Sequence, residues 1–178
     1  MDERRRRFEA QALPHLDAAY NLARWLTRST ADADDVVQEA MLRAWRAFEG
    51  FRGGDMRPWL LTIVRNCWRN AAADRKRRGH VPLPGEVGSE LALDDPSPES
   101  VASDADMGRK LGAAIATLPE EFREALVLRE MEDLSYREIA EITGAPIGTV
   151  MSRLSRARAL LRETWLGRFE EEARHGVR

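Results

Sequence analysis

Cys67 is the only cysteine in the chain, so no internal disulfide framework can staple the fold, and a reducing compartment suits it. The three histidines, His15, His80 and His175, lie far apart. Together with Cys67 they give no metal-ligand spacing, and no metal is expected. No apolar run approaches the roughly 20 residues that cross a bilayer. The basic start MDERRRRFEA has no apolar stretch behind it, so it is not a secretory signal. A phosphate-cradling glycine loop and a nucleophile motif are both missing, so neither an enzyme nor a cofactor is expected. Net charge is scarce as well, at −2 overall, and no global basic field advertises a nucleic acid. These absences leave a cytoplasmic protein without direct membrane insertion as the expectation.

Charge is instead segregated. Residues 75–78 read RKRR, whereas residues 79–106 hold seven acidic residues and no Lys or Arg. The asymmetry says more than the mean.

Hydrophobic periodicity divides the chain. Leu16, Ala19, Tyr20, Ala23 and Leu26 make a helical stripe, predicting a helix from Pro14 to about Arg28. RSTADADD then stops one helix and starts another, its acids suiting the positive end of a helix dipole. From Asp32 to Phe48 the stripe is Val36, Val37, Ala40, Met41, Ala44, Trp45 and Phe48. EGFRGGDMR reads as a loop, and Pro58 restarts a helix with Leu60, Ile63, Val64, Cys67 and Ala71 as its buried face. Residues 1–78 therefore form one small all-α unit. Residues 79–104, rich in Pro, Gly, Ser and acids, lose periodicity and read as a flexible acidic linker. Residues 105–178 form a second helical unit, with its own core and a C-terminal tail. The fold class expected is all-α, two small helical domains on a tether.

The second unit carries a helix-turn-helix pattern. Ser135 with Glu138 has the form of a capping box, and Gly144 can close the first helix in the left-handed conformation. Ile139, Ala140, Ile147, Val150 and Leu154 supply the shared core. Thr149, Ser152, Arg153 and Arg156 then lie on the outward face of the second helix, where arginine can pair with guanine and hydroxyls can reach phosphates or bases. Tyr136 and Arg137 open the first helix, within reach of backbone phosphates. Pattern alone also fits a helical hairpin with a charged outer face.

Three segments together are similar to bacterial sigma-70 family factors of the extracytoplasmic-function (ECF) group. ADADDVVQEAMLRAWRAFEGFRG resembles region 2.2 running into 2.3, RPWLLTIVRNCWRNAAADRKRR resembles regions 2.3 to 2.4, and LPEEFREALVLREMEDLSYREIAEITGAPIGTVMSRLSRARALLR resembles region 4. The resemblance implies an RNA polymerase sigma factor: a first unit that binds core polymerase and melts the −10 element, and a second that reads the −35 element as duplex. It implies core RNA polymerase (β′ clamp helices and β flap), promoter DNA and a cognate anti-sigma factor as partners. It also implies a monomer outside such complexes, nucleoid-associated or held near the membrane by the anti-sigma factor. The linker is either a soluble tether or a nucleic-acid mimic in the polymerase channels; the resemblance favours the second.

Three surfaces fit those roles. Leu42, ringed by Asp35, Gln38, Glu39 and Arg46, is either a lone exposed leucine or the centre of a small interface with a polar rim. The resemblance makes it the polymerase face. Arg65, Asn66, Arg69 and Asn70 lie opposite the apolar stripe of their helix, and with Phe51 and Arg52 of the preceding loop they would hold the −10 strand, Phe51 stacking on an unpaired base. At −35 the set is Tyr136, Arg137, Thr149, Ser152, Arg153, Ser155 and Arg156. Met151 stands where many relatives have Lys or Arg, and Ser155 gives up any aromatic stacking. The competing reading is a one-component helix-turn-helix regulator with an N-terminal sensing domain.

Overall fold

The computed structural model describes residues 3–78 and 101–175, with side chains described up to 166 and, in the second stretch, from 107. The regular elements among the described residues are helical. The first unit holds α1 (Glu3–Ala12), α2 (Leu16–Thr27), α3 (Thr30–Ala47) and α4 (Met56–Arg77). The second holds α5 (Val101–Ala116), α6 (Glu120–Glu130), α7 (Tyr136–Thr143) and α8 (Ile147–His175). Most of the expected linker, residues 79–100, lies outside the described residues. Its last part does not: α5 already begins at Val101.

The local chemistry explains the boundaries. Arg28 ends α2 in the left-handed conformation (φ 60°) and Ser29 caps α3, its hydroxyl accepting from the Asp32 amide at 3.3 Å. So short a connection forces α2 and α3 antiparallel. Asp55 caps α4 through the Arg57 amide at 2.9 Å, so the helix starts at Met56, ahead of Pro58. Proline is tolerated there because first-turn amides have no intrahelical partner. Pro14 sits in a short 3-10 turn, Leu13–His15, and α2 starts only after it. α1 is an element the periodicity did not predict. Its apolar contribution is only Phe8 and Ala12, one turn apart. Phe8 packs edge-on to Trp45 at 5.4 Å and Phe48 at 5.3 Å, and Arg4 lies 4.3 Å over the Trp45 ring.

Leu22, Leu60, Leu61 and Val64 are fully buried at the centre of the first unit, with Cys67 and Trp68 beside them. In the second unit Val127, Leu128, Ile139, Val150 and Leu154 play that part. The capping box of Ser135 and Glu138 is formed, and Gly144 adopts φ 66°, which turns α7 into α8. Arg123, buried on α6, donates to the carbonyls of Ala116 at 3.2 Å and Leu118 at 3.1 Å and so closes the C-terminal end of α5. Burial lowers its pKa from the ordinary guanidinium value, with the like charge of Arg28 adding to the effect.

The expectation of two separate cores is corrected. α2 packs on α6 and α4 packs on α7, and the buried apolar residues of both units form one continuous cluster. Polar groups are matched across the seam. Arg65 of α4 pairs with Glu124 of α6. Glu132 accepts from Asn21 Nδ2 at 2.7 Å and from an Arg57 guanidinium nitrogen at 2.5 Å. The physical reason is composition: α6 buries Ala125, Leu126, Val127 and Leu128 in succession. A helix apolar on every side needs cover on every side.

Candidate nucleic-acid and partner interfaces

α8 presents its N-terminal half outward. Val150, Leu154 and Ala157 face the core, which aims the opposite side at solvent. Ser152 and Arg156 are exposed and Thr149 is half-buried. Ser152 Oγ donates to the Thr149 carbonyl at 2.9 Å. Arg153 is tied to Glu121 at 3.1 Å, with its side chain 18% exposed, so it sits at the flank of the face, already paired. Ser155 is exposed one turn beyond Met151. Arg137 is exposed and paired with Glu141 at 3.3 Å, whereas Tyr136 is half-buried with Arg129 over its ring at 5.6 Å. Ile147, expected in the core, is 48% exposed. It belongs to the first turn, where Val150 already fills the space beneath.

On α4, Asn66, Arg69 and Asn70 are exposed and form one row at three- and four-residue spacing. Arg65 does not join them. It is 8% exposed and bonded to Glu124, its second nitrogen 3.3 Å from the other carboxylate oxygen. Only the Arg65 edge of the face expected to meet solvent is covered by the second unit. The preceding loop is built as its glycines allow: Gly53 and Gly54 both have positive φ, 87° and 99°, and Arg52 is exposed. Phe51 is half-buried, not free. Its ring stacks on Phe48 at 6.5 Å and tilts against Trp59 at 5.0 Å, so packing already engages the side expected to stack on a base.

The α3 surface is more open. Leu42 is 52% exposed and adjoins a groove of about 720 Å³ whose apolar walls include Phe8, Leu16, Tyr20, Val37, Met41 and Trp45. Asp35, Gln38 and Arg46 are exposed around it, and Glu39 is half-buried, bonded to Arg43 at 2.6 Å. An apolar centre with a charged rim is thus present, and α1, which walls the groove through Phe8, enlarges it beyond what α3 alone offers. Cys67 is buried where α4 packs on α3. Burial pushes its thiol pKa above the ordinary value, nearby Arg43 opposing and Glu39 assisting.

Glu124 and Glu132 are the residues that pattern reading missed. Each is a carboxylate almost wholly buried, at 3% exposure, and paired across the seam. The available signal was the apolar run from Ala125 to Leu128, since charges flanking such a run must find partners.

Comparison with known proteins follows the same division. The family model for sigma-70 region 2 matches residues 13–78, and that for sigma-70 region 4 matches residues 108–161. The ECF RNA polymerase sigma factor SigE of Mycolicibacterium smegmatis is 37% identical over 149 residues, covering 84% of this chain and 58% of that protein. The ECF sigma-E factor of Haemophilus influenzae is 37% identical over 148 residues, covering 79% of this chain and 77% of its own. Among solved structures, the sigma factor RpoE of Bartonella quintana, in complex with the anti-sigma factor NepR, superposes with a TM-score of 0.68 at 30% identity, covering 89% of this chain and 96% of that one. CnrH, solved with the cytosolic domain of CnrY, shares the fold at a TM-score of 0.65 and 24% identity, covering 92% and 90%.

Proposed function

The chain belongs to the extracytoplasmic-function group of the bacterial sigma-70 family, and from that membership we propose that it binds core RNA polymerase, places it on −35 and −10 promoter elements and promotes melting. The observation that carries the reading is the pairing of two different polar surfaces on two units. One is a helix-turn-helix whose second helix turns Ser152 and Arg156 outward. The other is the Asn66, Arg69 and Asn70 row beside a glycine loop. The first suits duplex, where side chains enter a groove. The second suits a separated strand, where amides meet base edges and arginine meets phosphate.

In this reading Leu42 and the groove beside it receive the β′ clamp helices, and the second unit meets the β flap. Arg52, Asn66, Arg69 and Asn70 hold the −10 strand, joined by Arg65 once the units part. Phe51, half-buried against Phe48 and Trp59, supports the loop. Arg156, Ser152, Thr149 and Ser155 face the −35 duplex, with Arg153, Tyr136 and Arg137 at its margins. A cognate anti-sigma factor keeps the chain silent, a reading supported by the similar sigma factor RpoE, solved with the anti-sigma factor NepR. Its place of action is the nucleoid, in the cytoplasm; no helix among the described residues is long and apolar enough to cross a membrane. Nothing among the described residues favours a ligand-sensing one-component regulator.

In vitro transcription with sigma-free core polymerase and a genomic promoter library tests this. The expected result is initiation from a defined set of promoters sharing two upstream elements. No initiation above core polymerase alone, with binding to core also absent, would refute it.

A further inference from the structure

Two of the large apolar side chains left open to solvent sit one turn apart at the start of α8. Ile147 is 48% exposed and Met151 is 53% exposed. Single exposed apolar residues are ordinary. These two share a row with Ser155, because four-residue spacing stacks side chains on one side of a helix. Neither serves the fold, since Val150, Leu154 and Ala157 fill the core below. Thr149, Arg153 and Arg156 occupy the other edge of the same outward face, with Ser152 between the two edges. Gly148, exposed in the first turn with open space where a Cβ would stand, leaves the backbone bare for close approach. Over the first two turns the face is therefore divided into an apolar edge, a hydroxyl centre and a cationic edge; Arg158, exposed and paired with Glu130 at 2.7 Å, ends the apolar edge further along.

Charge complementarity selects the occupant. Arginines and hydroxyls on one edge fit a polyanion, and the apolar edge must then meet something apolar inside it. In the major groove that feature is the C5-methyl group of thymine. We propose that Ile147 and Met151 read thymine methyl groups in the −35 duplex, giving this chain a preference for thymine at one or two positions that its arginines do not contact. Methionine suits the task, being unbranched, polarizable and able to adjust to a methyl surface, and it offers no hydrogen-bond donor to guanine. The inference rests on the promoter-binding reading above and specifies which bases that surface selects.

The test uses holoenzyme assembled from the full chain and sigma-free bacterial core polymerase. Duplexes randomised upstream are selected, and each thymine of the selected −35 element is replaced singly by deoxyuridine, which removes the methyl and keeps every hydrogen bond. The expected result is a loss of about three- to five-fold at one or two positions, the worth of one buried methyl group. That loss disappears in Met151→Ala or Ile147→Ala, whose folding is checked by circular dichroism. Indifference to deoxyuridine at every position, an equal penalty in wild type and both variants, or a selected element without thymine overturns the inference while leaving promoter binding intact. Weakened binding to core polymerase by these variants would assign the row to a protein partner and overturn it too. Failure to select any upstream element refutes the promoter reading itself, and this inference with it.

Discussion

Arg65 and Glu124, 59 positions apart, form a buried ion pair that joins the first unit to the second. Neither side chain is more than 9% exposed. Removing one partner of such a pair leaves a charge in a dry site, at a cost of about 3–5 kcal/mol. Glu124→Ala should therefore loosen the seam. The expected outcome is a larger radius of gyration by small-angle scattering, and thermal unfolding that splits from one transition into two. An unchanged radius and a single transition would show that the apolar contacts alone hold the units together.

Leu42 supplies a second prediction. Leu42→Asp places a charge at the centre of the α3 surface, beside the groove under Phe8 and Trp45. Affinity for core polymerase should fall by about 2 kcal/mol or more if this leucine is a hot spot. Its 52% exposure means the helix content should not change. Circular dichroism and a core-binding titration read the two effects separately, and full retention of affinity would relocate the polymerase face.

The two promoter surfaces should fail differently. Arg156→Ala should weaken −35 duplex binding by roughly 1–3 kcal/mol at one base pair if it reads a base, and evenly across sequences if it holds phosphate. Arg153→Ala also breaks the pair with Glu121, so its effect combines DNA contact with helix support and is the less clean of the two. Asn66→Ala should leave duplex binding alone and reduce permanganate reactivity of −10 thymines. Normal melting on every −10 sequence would remove Asn66 from the strand-holding set.

Cys67 should resist alkylation in the native protein. Its thiol pKa is raised by burial, so the folded state keeps its proton at pH values where the unfolded chain has lost it. Linkage then makes stability fall as pH rises from the ordinary thiol range toward the folded value. Cys67→Ala should flatten that part of the stability-versus-pH curve, measured by urea denaturation. An identical slope in the variant would assign the alkaline loss to another group.

Much of this was legible because helical stripes are local. The Val36, Ala40 and Ala44 row, the Ser135–Glu138 cap and the Gly144 turn depend on neighbours a few residues away, and each appears as its spacing implies. α1 escaped because one aromatic and one alanine, Phe8 and Ala12, anchor it, too thin a stripe to separate from a charged tail. Phe51 was misplaced because its ring folds back onto Phe48 and Trp59 of its own unit, which the composition of a loop does not encode, and Arg65 for another reason. Which side of α4 meets solvent depends on where the second unit lands, and no periodicity encodes a contact between residues 59 apart. Ile147 shows the limit of spacing within one helix: it continues the apolar row, but the core below it ends at Val150.

The enclosure of α6 also bears on how the protein tolerates being divided. Its apolar run from Ala125 to Leu128 is covered from one side by α8 and from another by α2, so a fragment of the second unit alone would carry a sticky face into water, with Glu124 and Glu132 stripped of their counter-charges. Such a fragment would precipitate or pair with itself at concentrations where the whole chain stays dispersed. Work on the isolated duplex-reading half would need polar replacements on the α2-facing side of α6, and those same replacements mark the positions where the full-length chain is least free to vary.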